Sequence, residues 1–216
     1  MYHYVQDKDF LKRMRGECSG IVNQLVQRIN RDSVMKVTAC LVGSGARNLV
    51  TQNANEPVDL DYNLIIDRDT LGTMSEREIK EYVRKQFNAV LAGNGWGDCK
   101  DSTSVLTTAR RKIQTGNPTP FSIDLGMISC FNGRWHRLIH AKTGIVQTDR
   151  WYWNEVAHSD GLEKKVAAIK AKHQWLQLRT VYLDKKNTYL RRNDTDHPSF
   201  IVYIEAVNQI YNTLIR

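Results

Sequence analysis

The sequence is poor in cysteine and proline, and it has no long apolar run. Its 216 residues include four cysteines and four prolines. No two cysteines form a Cys-x-x-Cys pair, which argues against a zinc site or a disulfide framework and favours reduced thiols. No apolar stretch reaches the length of a membrane-spanning helix, and the first residues do not form a signal peptide. We therefore expect a cytoplasmic protein without a membrane partner.

The sequence has an excess of positive charge. Its 31 Lys and Arg against 23 Asp and Glu give a formal net charge of +8. This balance favours polyanionic partners such as nucleotides or RNA, although many basic soluble proteins bind no nucleic acid. The hydrophobic fraction of 41% and the charged fraction of 25% are those of an ordinary globular protein. The length suits one large domain or two small ones.

Hydrophobic periodicity divides the chain into a mixed part and a helical part. Helices are predicted behind Asp7 or Asp9 and behind a capping box at residues 75–78, and a long helix and a last helix are predicted behind Asp160 and Pro198. Alternation predicts strands at 35–42, 58–66, 104–113 and 121–128, and a hairpin at 134–156. We therefore expect an α+β core in residues 1–157 and a helical region in residues 158–216.

Two aspartates one residue apart lie on an apolar stretch. Asp59 and Asp61 alternate with Val58, Leu60 and Tyr62, and alternate residues of a strand share a face. Two carboxylates side by side repel each other and lose hydration when they are buried. A divalent cation between them reverses that cost, and hard oxygen ligands suit Mg²⁺, which also binds substrate phosphates. The pair therefore predicts a site for Mg²⁺ or Mn²⁺.

A turn of small residues precedes this strand. Gly43, Ser44 and Gly45 follow an apolar run, and the next residues can begin a helix. Glycine allows the backbone to approach a ligand closely, and a helix N-terminus offers N–H groups to an anion. The Ser44 hydroxyl can add a hydrogen bond to a phosphate oxygen. We predict that Gly43 and Ser44 bind the phosphates of a nucleotide.

These residues together resemble the nucleotidyltransferase superfamily related to DNA polymerase β. Its signature is an apolar residue, Gly, Gly or Ser, a spacer, and an acidic pair with one residue between. Here Val42-Gly43-Ser44 and Asp59-Leu60-Asp61 match it, and Asp124 matches the third carboxylate on a later strand. Residues 35–130 carry the resemblance, which extends to minimal nucleotidyltransferases and to poly(A)-polymerase-like and second-messenger-synthase-like members.

The resemblance implies a fold, a reaction and residue roles. The implied fold is a nucleotidyltransferase-like mixed sheet flanked by helices, with a helical C-terminal part that packs across the nucleotide cleft. Asp59, Asp61 and Asp124 hold two Mg²⁺ or Mn²⁺ ions, and Asp124 is a candidate general base. An acceptor hydroxyl then attacks the α-phosphorus of an NTP, with ATP expected, and pyrophosphate leaves.

The triphosphate also needs cations outside the carboxylates. Arg110 lies on the strand predicted to pair with the Asp124 strand, on the face opposite Arg111, and Arg47 lies just past the turn. A charged edge strand and a solvent-facing helix residue are the alternatives for these two arginines. The basic stretch from Lys164 to Arg192 favours a polyanionic acceptor such as RNA, with a solvated helix face as the alternative.

Three classes of function fit the sequence. The first is nucleotidyl transfer to RNA, a nucleotide, a protein side chain or an antibiotic, and a cationic antibiotic would need acidic residues such as Glu155 or Asp160. The second is a nucleic-acid-binding module without catalysis, against which the carboxylate trio argues. The third is a metal-dependent phosphohydrolase, which the small-residue turn disfavours. The aromatic run at 151–153 can stack a base, with burial as its alternative.

Overall fold

A computed structural model of the chain describes residues 1–156, 161–194 and 196–215. These residues form two compact units. The sheet unit comprises residues 7–46 and 57–156. The helical unit comprises residues 1–6, 47–56 and the described residues beyond 156, so it takes in two short segments that precede the predicted helical region.

The described residues form six α-helices and nine β-strands. The α-helices are α1 (Lys8–Asp32), α2 (Gly43–Arg47), α3 (Glu76–Gly93), α4 (Leu162–Ala171), α5 (Trp175–Arg191) and α6 (Ser199–Leu214). The strands are β1 (Tyr2–Tyr4), β2 (Val37–Leu41), β3 (Thr51–Asn53), β4 (Val58–Ile66), β5 (Lys100–Asp101), β6 (Leu106–Thr107), β7 (Phe121–Phe131), β8 (Arg134–Ala141) and β9 (Arg150–Glu155). None of the helices in the described ranges is long and apolar enough to cross a membrane.

The sheet unit is built on a mixed sheet of seven strands. Its order is β2-β4-β7-β6-β5, and β8 and β9 extend it from β7. Only β4 and β7 run parallel among these pairs of described strands. The length of β7 lets β6 pair with its first part, at Leu125, and β8 with its last part, at Ile128. The predicted α+β class, with helices flanking a mixed sheet and a helical C-terminal part, is confirmed.

Helices α1 and α3 pack on one face of this sheet. Alternate residues of β4 and β7 point to that face and are buried: Val58, Leu60, Tyr62, Leu64 and Ile66 on β4, and Phe121, Ile123, Leu125 and Met127 on β7. The two helices begin where the sequence predicts. The Asp7 side chain accepts a hydrogen bond from the Phe10 N–H at 2.9 Å, and Ser75 and Glu78 form the capping box. The polar residues of β4 and β7 are thereby left on the opposite face.

Two predicted elements are shorter than the sequence suggested. The strand predicted at 104–113 pairs only at β6 and at a single bridge between Arg111 and Phe121. Thr107 pairs with Asp124, and Arg111 pairs with Phe121. Four residue steps from Thr107 to Arg111 therefore oppose three steps on β7, as in a β-bulge. The long helix is divided into α4 and α5, because His173 adopts a φ of +57° between them. Its predicted cap, Asp160, lies outside the described residues.

The helical unit has its own apolar core. Helices α4, α5 and α6 supply most of it: Leu49, Ile169, Leu178, Tyr182, Val202, Tyr203, Ala206, Val207 and Ile210. The short strands β1 and β3 pair antiparallel in this unit. The buried Asn187 side chain ties β1 to α5, since it accepts from the Tyr2 N–H at 2.7 Å and donates to the Tyr2 carbonyl at 3.0 Å.

Candidate active site

The three predicted carboxylates share the open face of the sheet. Asp61 on β4 is the direct register partner of Asp124 on β7, and Asp59 is the partner of Ser122. All three carboxylates therefore lie on the face that α1 and α3 do not cover, which we call the carboxylate face. Asp59 is exposed, and Asp61 and Asp124 are half-buried. The parallel pairing of β4 with β7 is what brings these distant segments together.

Hydroxyl groups, not cations, hold two of these carboxylates. The Ser122 hydroxyl donates to the Asp59 carboxylate, and the Thr107 hydroxyl donates to Asp124 Oδ1 at 2.6 Å. Burial raises the pKa of Asp124 above its usual value, the charge of Asp59 adds to that shift, and the hydrogen bond from Thr107 opposes it. The Asp124 carboxyl group therefore ionises less readily than a free aspartate.

The glycine turn packs directly against Asp61. Gly43 has a φ of +61°, and a Cβ added to it would lie 2.2 Å from Asp61 Oδ2. A Cβ at Gly45 would lie 2.9 Å from the Leu60 side chain. Both the backbone conformation and the close approach therefore require glycine at position 43. Ser44 lies beside it in α2, which is a helix of only five residues.

The donor chemistry of the trio fits a hard divalent cation, because all three side chains offer carboxylate oxygens. That the three hold a metal ion together stays a prediction. No group of three His, Cys, Asp or Glu side chains within the described ranges is close enough to hold a metal ion together. Each aspartate instead lies against its own neighbour, and three like charges without a cation repel one another. The three carboxylates share one face of the sheet.

The predicted phosphate-binding arginines belong to different units. Arg47 belongs to the helical unit, where its guanidinium stacks 4.7 Å from the Tyr203 ring centroid and 5.5 Å from that of Phe200. Arg110 is exposed just after β6, in the sheet unit. Its neighbour Arg111 turns to the covered face and donates to the Gly95 carbonyl at 2.9 Å.

Several lysines of the basic C-terminal stretch have partners inside the helical unit. Lys165 donates to Asn208 at 2.7 Å and Lys185 lies 3.3 Å from the Glu205 carboxylate. Lys186 stacks 3.9 Å from the Tyr2 ring centroid. These contacts give the stretch from Lys164 to Arg192 a packing role within its own unit.

Arg137 is a residue of the carboxylate face that the sequence analysis missed. It pairs with Ile128 at the start of the β8–β9 hairpin, passes over Gly126 and donates from Nη2 to Asn63 Oδ1 at 3.2 Å. Burial lowers the pKa of Arg137, and the nearby charge of Asp61 opposes that shift. The signal for it was present in the sequence, because hairpin alternation after the Asp124 strand places Arg137 on the same face.

The sequence matches no protein-family model and no curated protein. In contrast, solved cyclic dinucleotide synthases have a similar fold. The CdnE enzyme of Elizabethkingia meningoseptica with GTP and Apcpp has a TM-score of 0.57 and 12% identity, covering 90% of this chain and 69% of that one. CdnC of E. coli MS115-1 with ATP has a TM-score of 0.59 and 15% identity over 95% and 61% of the two chains.

DncV of Vibrio cholerae, bound to 3'-deoxy ATP, has a TM-score of 0.52 and 12% identity, covering 82% of this chain and 45% of that one. This chain has the nucleotidyltransferase fold. Sequence identities of 12–15% show the fold alone. The chain spans less than two thirds of the lengths of CdnC and DncV. The nucleotidyltransferase fold nevertheless accounts for the parallel β4–β7 pair that carries the carboxylates.

Proposed function

We propose that this protein is a metal-dependent nucleotidyltransferase, which moves a nucleoside monophosphate from an NTP to an acceptor hydroxyl and releases pyrophosphate. The observation that carries the proposal is the register of Asp61 on β4 with Asp124 on β7, beside the Gly43 turn. The nucleotidyltransferase fold supports it. ATP is the expected donor.

Asp59, Asp61 and Asp124 would hold Mg²⁺ or Mn²⁺. When bound, such ions orient a triphosphate and lower the pKa of an acceptor hydroxyl. We assign Asp124 as the acceptor of the proton of that hydroxyl, because its carboxylate lies on the same face as Asp61 and in direct register with it. Thr107 occupies Oδ1 of Asp124, so we assign proton acceptance to Oδ2.

The remaining residues position the nucleotide. Gly43 lets the backbone lie against Asp61, and we assign the backbone of this turn and the Ser44 hydroxyl to the phosphates of the nucleotide. Arg110 is the exposed cation of the sheet unit that we assign to the triphosphate. We do not assign that role to Arg47, because its guanidinium stacks on two aromatic rings of the helical unit.

The acceptor that we favour is RNA or a nucleotide. The net charge of +8 suits a polyanion. The similar solved structure of CdnE, named as a cyclic dinucleotide synthase and bound to GTP and Apcpp, supports a nucleotide on the acceptor side. An antibiotic-modifying activity has less support, since Glu155 is paired with Arg134 at 3.1 Å and Asp160 lies outside the described residues.

The reaction class is tested by incubating the protein with Mg²⁺ and each NTP and measuring pyrophosphate and free phosphate separately. Nucleotidyl transfer gives pyrophosphate, and a phosphohydrolase gives phosphate. NTP binding without either product would indicate the non-catalytic module. Asp69→Asn is a matched control for Asp61→Asn, because Asp69 is an exposed aspartate of the same segment.

A further inference from the structure

The carboxylate face continues onto the β8–β9 hairpin. Register pairs Trp135 with Cys130, Arg137 with Ile128 and Asn154, and Ile139 with Tyr152. Because Ile128 and Cys130 alternate with the covered residues of β7, these hairpin positions lie on the same side as Asp124. The surface formed by Trp135, Arg137, Tyr152 and Asn154 is called the acceptor platform below.

Two large rings are exposed on this platform. Trp135 and Tyr152 are each 45% exposed, which is unusual for such side chains in the middle of paired strands. The predicted aromatic run at 151–153 is split by strand alternation. Trp151 turns to the covered face and stacks on His140 at 4.2 Å between ring centroids, and Trp153 packs edge-on against Phe131 at 6.3 Å. Tyr152 alone of the three faces the open side.

The platform is cationic and carries no acidic side chain. On its side of the hairpin, which is described from residue 134 to 155, the charged residues are Arg137 and Arg150. The acidic residues of the hairpin have partners elsewhere: Asp149 contacts His140 at 2.9 Å, and Glu155 is paired with Arg134. A surface of exposed rings between arginines suits a nucleic acid, whose bases stack and whose phosphates are negative.

Arg137 connects the platform with the carboxylates. Its Nη2 reaches Asn63, two residues after Asp61 on β4. Its Nε is buried and has no hydrogen-bond partner among the described residues. Since Arg137 contacts Asn63, a ligand that lies on the platform would lie beside the strand that carries Asp61.

We propose, on the basis of the nucleotidyl transfer proposed above, that the acceptor platform binds single-stranded RNA. Trp135 and Tyr152 each stack one base, and Arg137 and Arg150 contact the backbone. Tyr152 pairs with Ile139, which lies four residues after Trp135 on β8. At ~3.3 Å per residue, the two rings are therefore about 13 Å apart along the strand. The two rings therefore take separate bases of one strand, and they hold its end toward the carboxylates.

The test is the binding of a labelled single-stranded RNA of about eight nucleotides, measured by fluorescence anisotropy without NTP at about 50 mM and about 200 mM salt. Trp135→Ala and Tyr152→Ala should each weaken binding roughly 5- to 150-fold, the range found for loss of one base stack. Trp135→Phe and Tyr152→Phe keep a ring and should stay within about threefold of the wild type. Val146→Ala is the control, because Val146 is an exposed apolar residue of the same hairpin outside the platform.

Several results would overturn the platform. One is wild-type protein that does not bind the RNA at low salt, and another is equal binding by the alanine variants. Alanine variants that change the oligomeric state in light scattering without RNA would show that the face contacts another protein chain. Pyrophosphate release that persists in any of these cases leaves the transfer reaction intact. Its absence from the wild type with every acceptor overturns that reaction without altering the RNA measurement.

Discussion

The carboxylates on the two faces of the sheet have different kinds of partner. On the covered face, Lys80, Asp101, His140 and Asp149 form a buried ion cluster. Lys80 is fully buried and lies 2.7 Å from Asp101, and the two His140 nitrogens lie 2.6 Å from Asp101 and 2.9 Å from Asp149. On the carboxylate face, the Ser122 and Thr107 hydroxyls donate to Asp59 and Asp124, and the charge of Arg137 lies near Asp61.

The pKa values of the two groups shift in opposite directions. Burial alone would raise the pKa of Asp101, yet the hydrogen bonds from Lys80 and His140 hold it below its usual value. The Thr143 N–H and His140 lower the pKa of Asp149. The pKa of Asp124 is raised instead. The ion pair of Lys80 with Asp101 on the covered face therefore stabilises the fold, whereas Asp124 on the carboxylate face keeps a raised pKa that a bound cation would lower.

The largest effect is expected for Asp61→Asn. Losing a metal-binding carboxylate should reduce pyrophosphate release by roughly 100-fold or more, since metal stabilisation of such a reaction contributes several kcal/mol. Removing one of three repelling charges should leave the unfolding midpoint level or raise it in metal-free buffer. Pyrophosphate assays and urea titrations check both. Full activity, with Asp69→Asn also active, would remove Asp61 from the site.

The covered face should respond in the opposite sense to the loss of a charge. Lys80→Met leaves Asp101 without its ion-pair partner in a buried site and should cost about 3–5 kcal/mol of stability. Urea unfolding measures this loss. Lys85→Met, at an exposed position of the same helix, should change stability by no more than about 0.5 kcal/mol. Equal stability of the two variants would show that the ion cluster does not stabilise the fold.

Two variants, Asp124→Asn and Asp149→Asn, test the comparison through the pH dependence of stability. Asp124 has a raised pKa, so its ionised form costs stability above the unfolded value of about 3.9. Asp124→Asn should therefore stabilise the metal-free protein at neutral pH. The difference from the wild type should vanish as the pH falls through the raised pKa and Asp124 becomes neutral.

Asp149 has a lowered pKa, so its contribution to stability is present above about pH 3.9 and is lost as the pH falls through the folded value. Asp149→Asn should destabilise the protein at neutral pH and lose that effect in acid. Urea midpoints between about pH 7 and pH 3 check both variants. The same sign for Asp124→Asn and Asp149→Asn would contradict the contrast between the faces.

The smallest effect is expected for Ser44→Ala. Losing one hydrogen bond to a charged phosphate should weaken NTP binding by about tenfold, with little change in stability. NTP-dependent shifts of the melting temperature measure the affinity. A stability loss of about 0.5–2 kcal/mol with unchanged NTP affinity would mean that the hydroxyl only caps the short helix α2.

Local rules predicted much of this fold. Alternation placed Asp59, Asp61 and Asp124 on strands, and capping chemistry located the starts of α1 and α3. The bulge after Thr107 was not predictable, because it depends on how β6 meets β7 rather than on its own residues. The hydrogen bond from Arg137 to Asn63 and the parallel pairing of β4 with β7 were also not predictable, because both join residues that are far apart in the sequence. The helix break at His173 was also not predictable, because no Gly or Pro lies there and histidine adopts a positive φ only uncommonly.

The most direct test of the contrast is a Mn²⁺ titration followed by electron paramagnetic resonance, in the presence of a non-hydrolysable NTP. The account predicts saturable Mn²⁺ binding in the wild-type protein. It also predicts that this binding is lost in Asp61→Asn and kept in Asp149→Asn. Mn²⁺ binding that Asp61→Asn leaves unchanged, or that Asp149→Asn abolishes in a folded protein, would contradict the central claim that the carboxylate face is the metal site.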